Sequence, residues 1–385
     1  MGSVLDMVRT NENLTWNSIV QSTRIGNGDD SSTLGEFFAR ELPHALTTTG
    51  RSMSIRILWP RTGRDNSVEQ EAVGEGITTE FCHGYDQVTE EQWRNCDGIV
   101  GGAVPDRFLP MLDKCRIVVK MAVGFDDVNV EAFGRHGIPV CNVPDYGTRE
   151  VADHAIALMM TLTKSIAFHD ECLREEPIKN WRPALNPFGR RLADCTFGVI
   201  GLGRIGTTAL RRAQAFDMDC VFYDPYQPSG LELALGVRRV DTLHELMRTS
   251  DIVSVHTPLN DETHHLIDAN ALAAAKQGTI IINTARGPLI DLDALHDAMK
   301  DGIVLAAGLD VLPDEPANLN APLIAAWHRN EDWIKHRLVI TPHSAFFTPE
   351  SVRDIRAFAA RTAARYLRGG RLVNCVNEEY LSFRR

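Results

Sequence analysis

The stretch Thr196-Phe197-Gly198-Val199-Ile200-Gly201-Leu202-Gly203-Arg204-Ile205-Gly206 decides how the rest of the 385-residue chain is read. A short β-prone run meets three glycines, and a segment with helical periodicity follows. Alone, G-x-G-x-x-G is a weak signal; between a strand and a helix it reads as a dinucleotide-binding turn. Gly201 permits the tight turn, Gly203 lets the backbone approach a pyrophosphate at the helix N-terminus, and Gly206 lets helix and strand pack closely. Arg204 and Ile205 sit in the same turn. Asp224 closes the next apolar run, Val221-Phe222-Tyr223, at the fingerprint's spacing of about 20 residues, where a carboxylate accepts hydrogen bonds from the adenosine ribose and repels a 2′-phosphate. Pro225 and Tyr226 follow it rather than Arg or Ser. The fingerprint therefore predicts NAD(H) over NADP(H).

Working outward, further strand-like runs occur at 252–256, 279–283, 306–311 and 338–341, with helical spacing between most of them. Leu292, Leu295 and Met299, for example, follow the N-cap candidate Asp291. Six strands with crossover helices predict a full doubly wound, Rossmann-type α/β domain. Upstream, the runs 55–59, 98–100, 116–123 and 139–143 alternate with helix-compatible segments at 90–95 and 106–114, a second βαβ series. Val151, Ala155, Leu158, Leu162 and Ile166 predict one long helix over 150–170 joining the two series. A last helix follows Pro342, with Pro349 in its first turn and Val352, Ile355, Ala359 and Tyr366 along one face.

Composition narrows the function classes. Forty Lys and Arg against 51 Asp and Glu leave a net charge of −11, which argues against a dominant electrostatic grip on nucleic acid or on an anionic membrane. No apolar run reaches the length of a membrane span. The eight cysteines show no CxxC pair and no zinc spacing, so they read as free thiols of a reducing compartment, and no metal site is expected. The adjacent His264 and His265 lack acidic or thiol partners at ligand spacing and read as structural. Residues 1–52, rich in Ser, Thr, Asn and Gly and carrying several acids, read as a mobile extension rather than a targeting peptide; the expected compartment is the cytoplasm.

Four motifs in order then carry a family resemblance over about residues 54–375. They are the glycine fingerprint with Asp224, Asn283-Thr284-Ala285-Arg286-Gly287, Asp310-Val311 with Glu315-Pro316, and Thr341-Pro342-His343. The chain resembles the D-isomer-specific 2-hydroxyacid dehydrogenases. Tyr223-Asp224-Pro225-Tyr226, His264-His265-Leu266-Ile267, Gly124-Phe125-Asp126 and Val140-Cys141-Asn142-Val143-Pro144 look closest to the C-terminal-binding-protein branch. The resemblance implies a Rossmann cofactor domain over 150–344 and a smaller, flavodoxin-like, discontinuous substrate domain over 53–149 and 345–385. It also implies a homodimer built around the 150–170 helix, and closure about hinges at 144–150 and 344–348.

The chemistry of the residues agrees with that resemblance. Reducing a 2-keto acid needs a cation to hold the carboxylate and polarise the ketone, and a proton donor for the developing alkoxide. The guanidinium of Arg286 can fork onto carboxylate and carbonyl. His343 offers an imidazole that can exchange the proton, while Glu315 on its other ring nitrogen would orient it and keep the proton available. By resemblance, Val123 and Gly124 present backbone N–H groups to the substrate carboxylate, and Phe346 supplies an aromatic wall three positions beyond His343. Asp310 matches the position that binds the nicotinamide carboxamide; Thr257, Pro258, Thr284 and Ala285 match loops around the nicotinamide ribose. The expected ligands are a nicotinamide dinucleotide and a small 2-keto or 2-hydroxy acid. The alternative is an NADH-sensing, corepressor-like interaction protein, for which the complete Arg286, Glu315, His343 set would be unnecessary.

Overall fold

The computed structural model describes residues 54–61, 65–181 and 188–381, so the extension read over 1–52 lies outside the described residues. Strands β1 (Ile55–Pro60), β2 (Ile77–Cys82), β3 (Gly98–Gly101), β4 (Ile117–Lys120) and β5 (Val140–Cys141) form an all-parallel sheet in the order β2-β1-β3-β4-β5. That order is the flavodoxin-like one. A second parallel sheet contains β6 (Thr196–Ile200), β7 (Asp219–Tyr223), β8 (Arg238–Arg239), β9 (Ile252–Val255), β10 (Thr279–Asn283), β11 (Val304–Leu309) and β12 (Leu338–Ile340). Its order is β12-β11-β10-β9-β6-β7-β8. Counted from β6, this is the Rossmann order 3-2-1-4-5-6 with one strand added, and the order reverses between β6 and β9.

Central strands such as Ile117-Val118-Val119-Lys120 and Thr279-Ile280-Ile281-Ile282-Asn283 are buried along their whole length. Helices cover both faces of a parallel sheet, so such strands appear in sequence as unbroken apolar runs. Two of the four edge strands, β2 and β8, are the ones that the apolar pattern missed. Each pairs on one side only, and Thr78, Glu80, Arg238 and Arg239 leave no apolar run to detect.

The helix Thr148–Lys164 buries Ala155, Met159 and Leu162 against Phe197, Val199 and Ile282 of the second sheet. The single helix expected over 150–170 breaks at Ser165, whose φ is 50°, and the next helix, Ile166–Glu175, is inclined to the first by 51°. The Ser165 hydroxyl donates to the Leu162 carbonyl at 3.2 Å, a bond that competes with the helical ladder. Ile166 therefore leaves the apolar stripe and is 60% exposed. Similarly, the segment 106–114 makes only the 3-10 turn Asp106–Met111, which contains Pro110. The helix Glu90–Asn95 forms as expected behind a Thr89/Gln92 capping box.

After β12 the chain returns to the first sheet. The helix Pro349–Gly369 packs Ile355, Ala359, Ala363 and Leu367 with Val100, Ile117 and Val119. Arg356 on this helix donates from Nε and Nη2 to the fully buried carboxylate of Glu69, each at 2.6 Å, which ties it to the helix Ser67–Val73.

Candidate active site

The sequence-predicted site residues of the second sheet sit within a few positions of a strand's C-terminal end. Gly201 follows β6, Asp224 follows β7, Thr257 and Pro258 lie just past β9, Thr284 to Arg286 follow β10, Asp310 follows β11, and His343 lies three residues past β12. Open parallel sheets bind ligands along this edge, at the point where the strand order reverses.

The three glycines do separate work. Gly201 has a φ of 87°, and a β-carbon there would lie 2.8 Å from the Thr257 nitrogen. A β-carbon on Gly206 would lie 2.1 Å from the Gly201 oxygen, so helix Arg204–Gln214 can approach β6 only without one. Gly203 faces open space and caps that helix with no side-chain bond, leaving first-turn N–H groups for an anion. Arg204 pairs with Asp145 at 2.7 Å, and Ile205 is partly buried behind the turn. The Asp224 carboxylate accepts the Leu202 N–H at 2.8 Å and the Tyr226 N–H at 3.0 Å, which locks it beside the glycine loop. Tyr226 in turn donates its hydroxyl to Glu262.

The loop after β10 is shaped by Asn283, whose buried amide donates to the Arg286 carbonyl at 2.8 Å and accepts the Ala285 N–H at 2.9 Å. The Thr284 hydroxyl is buried with no hydrogen-bond partner. A donor with no partner among the described residues, on the same strand-end edge as an open helix N-terminus, is what a dinucleotide would satisfy, so the residues present fit that group.

Asp310, nearly fully buried, accepts from the Thr341 hydroxyl at 2.5 Å and from the Ser344 and Ala345 N–H groups at 2.9 Å each. Its carboxylate thereby fixes the loop that carries His343; His154 joins from the crossover helix with Nε2 2.9 Å from the Thr341 hydroxyl. The His343 backbone is left-handed, with φ 51°, and its N–H donates to the Asp310 carbonyl at 2.8 Å. The ring meets Glu315 through Nδ1 at 2.7 Å. Glu315 is oriented by its other oxygen, which accepts the Leu312 N–H at 3.1 Å. Both side chains are about two-fifths exposed, and Nε2 of His343 has no partner among the described residues.

The first sheet contributes the opposite wall. Arg286 donates from Nη1 to the Ala285 carbonyl at 2.8 Å and from Nε to Asp126 at 2.9 Å, an ion pair reaching the loop after β4. In that loop the Val123 carbonyl accepts the Asn142 amide at 2.6 Å, while the N–H groups of Val123 and Gly124 have no acceptor among the described residues. Phe346 lies edge-on to both His343 and Tyr146, at ring separations of 6.4 and 5.9 Å. Burial pushes the Tyr146 phenol up to about 12, against a smaller opposing pull from Arg286. Lys120, almost fully buried, pairs with Asp127 at 2.5 Å behind the loop. Asn142, Tyr146 and Asn283 escaped the sequence reading as site residues: each was visible only as part of a motif or a connector.

A family model described as D-isomer specific 2-hydroxyacid dehydrogenase, NAD binding domain, matches residues 156–345. The glyoxylate reductase of Korarchaeum cryptofilum is 33% identical over 304 residues, covering 77% of this chain and 88% of that protein. The crystal structure of D-lactate dehydrogenase from Aquifex aeolicus with NAD and lactic acid superposes with a TM-score of 0.68 at 26% identity, over 85% of this chain and 97% of the other. The NADPH-dependent glyoxylate/hydroxypyruvate reductase of Sinorhizobium meliloti, in complex with NADP and malonate, gives 0.73 at 27% identity, over 86% and 99%. The fold and the site define a nicotinamide-dependent oxidoreductase of small 2-hydroxy and 2-keto acids. The chain belongs to the D-isomer-specific 2-hydroxyacid dehydrogenase family.

Proposed function

We propose that the protein interconverts a small 2-keto acid and its D-2-hydroxy acid, with NAD(H) preferred to NADP(H). The observation that carries this reading is the His343–Glu315 pair at 2.7 Å, on the strand-end edge that also holds Arg286. A dihydronicotinamide, when bound there, would be the source of the hydride. Arg286 holds the substrate carboxylate and polarises the ketone, exchanging its bond to Asp126 for bonds to the anion. The free N–H groups of Val123 and Gly124 take the carboxylate from the other side. With Nδ1 committed to Glu315, protonated His343 donates from Nε2 to the carbonyl oxygen as negative charge develops there. In the oxidation direction the same nitrogen removes the hydroxyl proton. Gly201, Gly203, Gly206 and their turn would hold the pyrophosphate, Asp224 the adenosine ribose, and Thr284 the region around the nicotinamide.

The preference for NAD(H) is supported by two carboxylates, Asp224 and the Glu262 bound to Tyr226, at the end where a 2′-phosphate would lie. Closure of the lobes 53–149 with 345–385 onto 150–344, about 144–150 and 344–348, would exclude water from the reaction. A homodimer is supported by Ile166, Ile178 and Trp181, large apolar side chains exposed on the segment after the crossover helix. Light scattering should give about twice the 42.8 kDa chain mass.

The decisive experiment follows NADH absorbance with a panel of 2-keto acids of graded size, including aromatic ones. Oxidation of NADH by at least one, with loss of turnover in His343→Ala, is the expected result. NADH binding without turnover of any acid would instead point to a sensing role.

A further inference from the structure

Beyond β4, strand β5 has a second neighbour, the chain's own C-terminal segment. The Val376 N–H donates to the Val140 carbonyl at 2.8 Å and the Asn142 N–H to the Asn374 carbonyl at 3.1 Å, so Cys141 and Cys375 face each other in an antiparallel bridge. The bonds lie on either side of the two cysteines, which makes them a non-hydrogen-bonded pair. In such pairs the α-carbons approach to about 4.5 Å and the side chains are at their closest, inside the window in which a disulfide closes without moving the backbone. Both are free thiols, 234 residues apart in sequence, and neither belongs to the reductase site.

We propose that Cys141 and Cys375 are an oxidisable dithiol that hydrogen peroxide converts to an intrachain disulfide, fastening the C-terminal segment to β5. The two sulfurs differ in access: Cys141 is fully buried and Cys375 is partly exposed. They also differ in acidity. The adjoining Cys141 thiol holds the Cys375 thiol below its ordinary value, while the same neighbour and burial push Cys141 up; the Cys375 thiol itself donates to Asn377 Oδ1 at 3.3 Å. Cys375 is therefore the nucleophile.

Its thiolate attacks one oxygen of the peroxide; an S–O bond forms, the O–O bond breaks, and the departing oxygen leaves as water after taking a proton from solvent. The Cys141 sulfur then attacks the sulfenic sulfur of Cys375. The S–S bond forms, the S–O bond breaks, and the hydroxide leaves as water with the proton that Cys141 gives up. Two electrons from the two sulfurs reduce one peroxide to two waters. Because Asn142, next to Cys141, holds the Val123 carbonyl, the bridge would also anchor the strand that supports loop 122–126. Cys96 and Cys115 are a second neighbouring pair, but both are buried and their thiols donate to the Trp93 and Ile117 carbonyls, so they serve as an internal control for access.

The test treats the reduced full-length protein with hydrogen peroxide, then counts free thiols in denaturant and maps cross-linked peptides under non-reducing conditions. Two of the eight thiols should disappear, the chain should lose the mass of two hydrogens, one peptide pair should join Cys141 to Cys375, and dithiothreitol should reverse all three changes. Cys375→Ser should slow thiol loss by about tenfold, and Cys141→Ser should stop at a sulfenic acid that dimedone traps. Retention of all eight thiols, a bridge between Cys96 and Cys115 instead, or unchanged thiol loss in Cys375→Ser would overturn the proposal.

Discussion

The Nη2 of Arg286 stands 1.4 Å from the point that a β-carbon on Gly124 would occupy. The guanidinium thus fills the space left by a missing side chain, on a loop 162 residues away in sequence and on the other sheet. This contact sets Arg286, the cation proposed to hold the substrate carboxylate, against Gly124 of the first lobe, and most of the expected behaviour of the site follows from it.

Gly124→Ala should therefore damage activity and spare the fold. The backbone at Gly124 is outside the left-handed region, and the atom displaced is the far end of a flexible side chain. Moving a positioned group by about 1 Å costs on the order of 10²-fold in rate, so kcat/KM for the keto acid should fall by about that factor. The thermal midpoint should stay unchanged, a contrast that steady-state kinetics and a melting curve read on the same sample.

His343→Ala should lower kcat by roughly 10²–10⁴-fold, the span of positioned general acids. Glu315→Gln should cost less, about tenfold, because an amide still reaches Nδ1 but does not stabilise the charged ring. Titration of NADH by fluorescence should give the wild-type affinity in both variants. A large change in that affinity would mean that the dyad acts through cofactor binding instead.

Asp224→Ala removes the acceptor of the Leu202 and Tyr226 N–H groups as well as a negative charge. The KM for NADH should rise about tenfold, corresponding to about 1.4 kcal/mol, a typical cost for a lost charged hydrogen bond. The ratio of kcat/KM for NADPH to that for NADH should rise with it. Initial rates with each dinucleotide measure both effects.

His256, at the end of β9 with Nε2 2.8 Å from the Ser254 hydroxyl, is pushed down to about 4 by burial. The unfolded chain binds this proton at about pH 6.5 and the folded chain only near 4, so its contribution to stability is complete above 6.5 and is lost as pH falls through that window. Denaturant unfolding between pH 6.5 and 4.5 should show a loss of about 2 kcal/mol that His256→Asn reduces. An equal slope in the variant would assign the pH dependence to the carboxylates.

Much of the fold was legible because of how parallel sheets are built. A strand such as Thr279–Asn283, covered on both faces, must be apolar throughout, and it announces itself whatever surrounds it. The glycines were legible for a related reason: the turn needs a positive φ at Gly201 and bare backbone at Gly206, and no other residue supplies either. Where one face meets water the signal failed. Strands β2 and β8 carry Thr, Glu and Arg, and Ser165 ended a helix whose apolar stripe continued on paper.

The sequence by itself determined which residues stand at the strand ends, from Gly201 through Asp224, Arg286 and Asp310 to His343, because each follows directly from a local run and its turn. Only the tertiary structure decided which of them meet partners from elsewhere. Asp126 on Arg286, Arg356 on Glu69 and Cys375 on Cys141 are contacts between segments far apart in the chain, created when the last helix and the C-terminal segment return to the first sheet and when the loops after β4 and β10 meet. Local propensity fixes the position of a side chain along its element, but the distance between elements is set by packing, and ion pairs, thiol pairs and oriented imidazoles depend on that distance.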